Sequence, residues 1–259
     1  GVELHVATQW LHEDRAQIAA CLDLPVESVR LVLGGVGGAF GAREDISLQV
    51  HTCLLALRLG RPVRIAYSRA ESFLGHVHRH PATIWMRHHA TADGEIVKIE
   101  SRMVLDGGAY ASTSSAVLIN AVTHTQGPYR CANAVVDGYA VRTNHLPCGA
   151  MRGFGVVQAC FAHESQMDKL AMACGLDPVE IRKQNLVPPH SMTANWLRVG
   201  SMGLGQFIDK VVEGSDWYNK FRKLPYGKGV GIACGSYLSG AGLPIYWNDM
   251  PHSGVQLKL

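Results

Sequence analysis

The chain is organised around a glycine-rich stretch, Gly34-Gly35-Val36-Gly37-Gly38-Ala39-Phe40-Gly41-Ala42-Arg43-Glu44-Asp45. Five of its first eight residues are glycine, and one aromatic residue, Phe40, lies among them. Glycine permits a positive φ angle and a close approach of the backbone to another group. A run of this kind favours a loop that presents bare N–H groups to a ligand. The alternative is a sharp bend at which a strand and a helix pack closely.

The residues on either side of this first glycine loop predict regular elements. Val29–Leu33 is a β-branched and aliphatic strand, and residues 45–57 have the pattern of a helix. A strand, a glycine loop and a helix N-terminus together can receive an anion or an oxo group. The nucleotide motifs do not fit, because the sixth position counted from Gly35 is Phe40, and Ala42-Arg43-Glu44 stands where a P-loop needs Gly-Lys-Ser/Thr.

The composition bounds the class of protein. The chain has 259 residues, of which 47% are hydrophobic and 17% charged, so it can bury a substantial core. A net charge of +3 with scattered basic residues argues against nucleic-acid binding, and the apolar runs are too short to span a bilayer. Seven cysteines without a C-x-x-C pair indicate reduced thiols, a cytoplasmic location and no structural zinc site.

Both ends of the chain have strand-like patterns. Gly1–Ala7 alternates without an initiator Met, and Val255–Leu259 alternates in the same way. We therefore expect the chain to be part of a larger protein, with residues that complete a site lying outside it.

The periodicity of apolar residues predicts an α+β fold of mixed sheets with packed helices. Residues 1–80 have a β-α-β-α-β order that includes the glycine loop and a strand at Val63–Tyr67. Residues 81–145 are rich in strands, with a hairpin signal at Asp93-Gly94 and an indeterminate Ser/Thr-rich piece that ends near Thr125. Residues 146–259 contain a second glycine loop, then helices, then final strands.

The stretch His76-Val77-His78-Arg79-His80 would place three histidines on one face of a strand. A polar or interfacial face is favoured over a metal site, because no carboxylate or cysteine completes a ligand set nearby.

Four polar residues lie at predicted turns, where their side chains are poorly placed to be buried. Gln9 follows the first strand, Arg43 and Glu44 close the first glycine loop, and Arg152 lies in the second glycine loop, Leu146–Gly155. Glutamine can donate to an oxygen, arginine can stabilise negative charge, and a carboxylate beside an aromatic ring can bind a polar heterocycle. Each residue alone is more often structural. Together they support a ligand site built from two glycine loops.

Several motifs in order resemble those of a known family, the molybdenum hydroxylases of the xanthine dehydrogenase and aldehyde oxidase type, in their molybdenum-cofactor-binding large subunit. The resemblance covers nearly the whole chain. It rests on Thr8-Gln9, Gly37-Gly38-Ala39-Phe40-Gly41-Ala42-Arg43-Glu44, Asp106-Gly107-Gly108-Ala109-Tyr110, Arg152-Gly153-Phe154-Gly155, and Gly175-Leu176-Asp177-Pro178 through Arg182 to Asn185.

The resemblance implies roles for individual residues. Gln9 would donate to a molybdenum oxo ligand, and the Ala39–Phe40 backbone would lie beside the metal, with alanine in place of the more usual glycine. Arg152 would belong to the molybdenum centre. Gln9, the loop and Arg152 would thus surround the metal without being its direct ligands. Glu44 would orient a purine, and Phe154 would stack against a flat substrate.

The resemblance also implies cofactors, partners and a reaction. The cofactor would be molybdenum-molybdopterin, alone or in its cytosine dinucleotide form, and partner subunits or domains would carry iron–sulfur clusters and FAD. The remainder of the molybdenum subunit would be a further partner. The reaction would oxidise an N-heteroaromatic substrate, a purine such as xanthine or hypoxanthine, with water as oxygen source. Alternatives are a reductase of the 4-hydroxybenzoyl-CoA type, which Cys148–Gly153 and Pro251–Gly254 resemble, and a non-catalytic scaffold.

Two departures from the family pattern limit the resemblance. Asn120 stands near the position of an arginine that stabilises charge on the substrate in purine-oxidising members. The catalytic glutamate of the family lies in a later motif, as do most pterin phosphate contacts, so we expect it beyond Leu259. The chain should therefore contain no catalytic residue and only half of a site.

Overall fold

The computed structural model describes residues 1–238 and 257–258. These residues form two compact units. The first unit comprises Gly1–Pro81, Leu105–Val117 and Ala140–Phe154, and the second comprises Ala82–Val104, Leu118–Tyr139 and the described residues from Gly155 onward. Both contain helices and strands, which confirms the predicted α+β class.

The first unit is built on two parallel strands. Strand β1 (Val2–Val6) pairs with β2 (Val29–Leu33), with Val2 opposite Val29. Helix α1 (Leu11–Leu22) connects them, because parallel neighbours need a crossover. A short 3₁₀ helix precedes β2, and helices α2 (Gln49–Leu59) and α3 (Arg69–Gly75) follow it. The buried core residues of this unit are Leu4, Ile18, Ala19, Val29 and Cys53.

Two predictions for this unit are wrong. Helix α2 begins at Gln49 instead of residue 45, because Asp45 accepts a hydrogen bond from the Ser112 hydroxyl at 2.5 Å and Ser47 N–H donates to the Gln49 side chain at 2.7 Å. These side-chain bonds compete with a first helical turn. Residues 63–67 alternate between half-buried and exposed, as in a strand, but form none. Their backbone makes no hydrogen bond to any described residue, and a strand requires a paired neighbour.

The second unit contains most of a three-stranded sheet in the order β3-β4-β5. Its strands are β3 (Ala82–Ala90), β4 (Ile96–Asp106) and β5 (Ala134–Val141), and the last residues of β4 and β5 group with the first unit. The predicted turn at Asp93-Gly94 is confirmed, since Gly94 N–H donates to the Thr91 carbonyl at 3.0 Å. The piece that the sequence left indeterminate contains α4 (Ser114–Thr123).

The remaining helices are α5 (Val156–Cys174), α6 (Pro178–Gln184), α7 (Leu204–Ser215) and α8 (Trp217–Lys220). Asp177 caps α6, because its side chain accepts from Val179 N–H at 2.7 Å. A buried network joins α5 to α6. Arg182 Nε donates to Glu164 Oε2 at 2.8 Å, and the Tyr129 hydroxyl donates to Glu164 Oε1 at 2.5 Å.

The predicted final strands are absent from residues 227–238 of the described chain, and Val255–Leu259 lies outside it apart from Leu257 and Lys258. All seven cysteines carry free thiols, as predicted. Among the described residues, no helix combines the length and the apolar character needed to cross a membrane.

Candidate functional site

The two glycine loops share an unusual backbone conformation. In the first loop Phe40 has φ 55° and Gly41 φ 90°, and in the second Phe154 has φ 43° and Gly155 φ 95°. A bulky residue at positive φ costs on the order of 1–3 kcal/mol. Such residues cluster at ligand-binding sites, where successive N–H groups form a concave surface for anions.

The two loops lie against each other within the first unit. A Cβ atom added to Gly41 would lie 3.0 Å from the carbonyl carbon of Ala150 and 3.1 Å from Met151 N, so a side chain would push the loops apart. The Arg152 guanidinium lies over the Phe40 ring, 5.0 Å from its centroid. The structure therefore brings the Phe40 and Arg152 side chains together in a cation–π contact.

Gln9 links β1 to the first glycine loop. Its amide oxygen accepts hydrogen bonds from Gly41 N–H at 3.1 Å and Arg43 N–H at 3.4 Å, and its backbone N–H donates to the Arg43 carbonyl at 3.0 Å. Its side-chain NH₂ group donates to Glu44 Oε1 at 3.4 Å. Because two backbone donors occupy the oxygen, the side chain is fixed with its NH₂ group towards Glu44.

Glu44 is half-buried at the end of the first loop. Burial, and then the charge of Asp45, raise its pKa from 4.5 to about 6, while the hydrogen bond from Gln9 opposes this shift. Its Oε2 atom is buried and has no hydrogen-bond partner among the described residues. A carboxyl group that titrates near pH 6 can either accept or donate a hydrogen bond, which suits recognition of a polar heterocycle.

The remaining residues expected at the site lie in the same two loops. Phe40 is 61% exposed. The Ala39 carbonyl accepts from Ala42 N–H at 3.0 Å, whereas the N–H groups of Ala39 and Phe40 bond to no described residue and remain available as donors. In the second loop Phe154 N–H donates to the Met151 carbonyl at 2.7 Å, which closes the turn that contains Arg152.

Several residues that hold the loops were not among the site residues predicted from the sequence. Asp45 accepts from Ser112, and an added Cβ on Gly149 would lie 2.6 Å from Asp45 Oδ2. His76 and Arg79 each contact one glycine loop, as described below. The sequence signal for the last two is the histidine-rich stretch, whose alternation predicts the face of a strand.

The donor set suits an anionic cofactor that brings its own metal ligands. Loop N–H groups, the Gln9 amide and the Arg152 guanidinium are donors, and the buried Glu44 Oε2 has bonding capacity left over. In the described part of the chain, no three His, Cys, Asp or Glu residues are placed to hold a metal ion. The loop N–H groups, the Gln9 amide and the Arg152 guanidinium would hold oxo and phosphate groups by hydrogen bonds rather than coordinate a metal.

A family profile identifies the class of domain. Residues 1–186 match the family described as "Molybdopterin cofactor-binding domain". This match covers more than half of the chain and includes both glycine loops. The domain therefore belongs to a class that binds the molybdopterin cofactor.

Curated relatives agree with this class. The chain is 38% identical over 192 residues to a probable xanthine dehydrogenase subunit of Bacillus subtilis, covering 74% of this chain and 26% of that protein. It is 43% identical over 180 residues to the nicotinate dehydrogenase large molybdopterin subunit of Eubacterium barkeri, covering 70% and 42%. The chain therefore spans between about a quarter and two-fifths of the length of these relatives.

Solved structures share the fold. The aldehyde oxidoreductase of Desulfovibrio desulfuricans matches with a TM-score of 0.78 at 26% identity, over 83% of this chain and 24% of that one. Quinoline 2-oxidoreductase of Pseudomonas putida matches with a TM-score of 0.75 at 30% identity, over 83% and 28%. The chain belongs to the molybdenum hydroxylase family of the xanthine dehydrogenase and aldehyde oxidase type, as its motifs predicted.

Proposed function

We propose that this chain forms the part of a molybdenum hydroxylase that holds the molybdenum side of the cofactor and one face of an N-heteroaromatic substrate. The observation that carries the proposal is the Glu44 carboxyl group. It has a pKa raised to about 6 and a hydrogen bond from Gln9, and it closes the loop that carries the exposed ring of Phe40. A polar group beside an aromatic surface can orient a flat heterocycle.

Each residue of the site has a distinct task in this proposal. The Gln9 amide and the N–H groups of Ala39 and Phe40 would donate hydrogen bonds to the oxo-bearing part of the cofactor. Arg152 would stabilise negative charge, and Phe154 would stack against the substrate ring. Glu44 would hydrogen-bond a ring nitrogen. When bound, the cofactor would supply oxidation of an aromatic carbon with oxygen from water.

The names of three of the similar proteins support an N-heteroaromatic substrate class, whereas another solved neighbour is an aldehyde oxidoreductase. One relative is a nicotinate dehydrogenase subunit, one solved neighbour is a quinoline oxidoreductase, and one relative is a probable xanthine dehydrogenase subunit. We propose a purine such as xanthine or hypoxanthine as the first candidate. Asn120, which stands near the position where purine-oxidising members are expected to carry an arginine, keeps other heterocycles and 4-hydroxybenzoyl-CoA as alternatives.

Electron transfer requires further components. We propose that electrons leave through the pterin to iron–sulfur and FAD subunits or domains in the cytoplasm, and that the cofactor is molybdopterin or its cytosine dinucleotide form. The catalytic base would come from a part of the molybdenum subunit beyond this chain. The competing proposal is that residues 1–259 act only as a scaffold for assembly.

The test uses the assembled enzyme that contains this chain. It is offered xanthine, hypoxanthine, nicotinate and 4-hydroxybenzoyl-CoA with an artificial electron acceptor. We expect oxidation of at least one N-heterocycle, and a loss of about 10- to 100-fold in kcat/KM on Glu44→Ala, since a charge-assisted hydrogen bond is removed. Glu27→Ala, at an exposed position in the same unit, is the matched control.

Two results would contradict the proposal. Unchanged turnover on Glu44→Ala would remove Glu44 from the substrate contacts. Significant hydroxylase activity of residues 1–259 alone would show that the site is not divided as proposed.

A further inference from the structure

The stretch His76–His80 contacts both glycine loops. It follows α3 in the first unit, and each loop accepts a hydrogen bond from one of its side chains. We propose that His76 and Arg79 are positioning residues, which fix the backbone of the first and second glycine loop respectively. This inference deepens the function proposed above and rests on it for its catalytic consequence.

His76 acts on the first loop. Its Nε2 atom lies 2.6 Å from the Ala42 carbonyl oxygen and its Nδ1 atom lies 3.0 Å from the Val77 carbonyl oxygen. The tautomer with the proton on Nε2 donates the shorter of these two bonds, to Ala42. That carbonyl belongs to the same planar peptide unit as Arg43 N–H, which donates to the Gln9 amide oxygen. Because the unit is rigid, a bond that holds its oxygen also sets the direction of its N–H. His76 therefore orients Gln9 through one peptide plane.

Arg79 acts on the second loop. Its Nη2 atom donates to the Arg152 carbonyl at 2.5 Å. Gly153 follows with φ 91°, so this carbonyl lies where the chain enters its left-handed segment. No described carboxylate forms an ion pair with Arg79, and its side chain anchors the backbone instead. A charged donor forms a stronger bond to a carbonyl than a neutral donor does.

The stretch is itself held in place. His78 N–H donates to the Pro147 carbonyl at 3.1 Å, and Gly149 N–H donates to the His78 carbonyl at 2.9 Å. His80 is only 2% exposed, and its Nε2 atom lies 2.8 Å from the Ser114 hydroxyl oxygen. A backbone fixed between the two positioning residues can hold one loop relative to the other. A mobile surface segment could not do so.

Amide hydrogen exchange, followed residue by residue by NMR on chain 1–259, tests the loop contacts without cofactor. Phe154 N–H reports on the second loop, and Ala42 N–H on the first, because each closes a hydrogen-bonded turn. Arg79→Gln should accelerate exchange at Phe154 about tenfold and leave Ala42 within about twofold. His76→Phe should produce the reverse pattern.

Matched controls and conservative variants complete the design. Arg64→Gln and His51→Phe alter exposed residues of the same unit and should change neither reporter. His76→Gln keeps a side-chain donor and should restore slow exchange in part. If Arg79→Gln does not fold, Arg79→Lys replaces it as the test variant, and amide exchange at Phe154 should accelerate about two- to fivefold.

The assembled enzyme supplies the second readout. Arg79→Gln should lower kcat about tenfold with KM changed less than about twofold, at an unchanged molybdenum content. The inference would be overturned if amide exchange in the loops were unaffected by the variants. It would also be overturned if exchange accelerated equally at both reporters and at Ile18 in the core, or if kcat were unchanged. If the enzyme oxidises none of the test substrates, the proposed function fails, while the exchange pattern still decides the loop contacts.

Discussion

Glu44→Gln should make the stability of the chain less dependent on pH. In the folded chain the pKa of Glu44 is raised from 4.5 to about 6, chiefly by burial and then by the charge of Asp45. Folding therefore favours the protonated form. The stabilising contribution is complete below pH 4.5 and is lost as pH rises through 6, because the ionised carboxylate is poorly solvated in the folded state. Glutamine has no proton to lose in this range.

The magnitude follows from the two pKa values. A difference between about 6 and 4.5 corresponds to about 2 kcal/mol at 1.36 kcal/mol per pKa unit. Glu44 is only half-buried, and solvent screening reduces this to about 1 kcal/mol. Relative to the parent chain, Glu44→Gln should therefore gain about 1 kcal/mol in the free energy of unfolding between about pH 4.5 and pH 8.

Urea unfolding at both pH values measures this gain, and the ¹³C shift of the Glu44 carboxyl carbon gives the pKa directly. Glu27→Gln is the matched control, and its stability should follow that of the parent chain at both pH values. Gln9→Leu removes the hydrogen bond that lowers the pKa of Glu44 and should raise it above 6. A Glu44 carboxyl group that titrates near 4.5, with no pH-dependent gain in the variant, would show that burial does not raise this pKa.

Two further predictions concern stability. Arg182→Met should cost about 3–5 kcal/mol in urea unfolding, because it leaves the buried Glu164 carboxyl group without its arginine partner. A loss below about 1 kcal/mol would show that water reaches this network. Gly41→Ala should cost about 1–3 kcal/mol in the free energy of unfolding and broaden the NMR signals of both loops, because Gly41 has φ 90° and contacts the second loop. Gly35→Ala is the control. Gly35 has open space around it, so this change should cost less than about 1 kcal/mol. Equal effects of the two alanines would contradict the close approach of the loops.

Local patterns predicted most of the elements. β2 matches its expected bounds at Val29–Leu33, and α5 begins directly after the second glycine loop at Val156. Asp177-Pro178 at the start of α6 has the residue types of a helix cap and a first helical position, and the Asp177 side chain accepts from Val179 N–H. Residues 63–67 show the limit of this reasoning. Their alternation is that of a strand, but a strand exists only when its backbone is paired.

The sequence predicted a set of candidate site residues, whose roles stay predictions, but it did not predict how they are arranged. Glu44 and Arg152 stood out at glycine loops, and the family motifs assigned expected roles to both. The hydrogen bond between Gln9 and Glu44 joins residues far apart in the chain, as does the contact of Arg152 with Phe40. No local pattern specifies such pairs.

Residue types and their short-range spacing were enough to predict the family, the two glycine loops and most helices and strands. The contact between the loops and the raised pKa of Glu44 depend on the folded chain, because burial, the largest cause of the shift, results from packing between residues far apart in the sequence. The tertiary structure also shows that the histidine-rich stretch contacts both glycine loops. His76 and Arg79 contact the loops through backbone carbonyls, and every residue type carries that same carbonyl group, so the sequence held no signal for these partners.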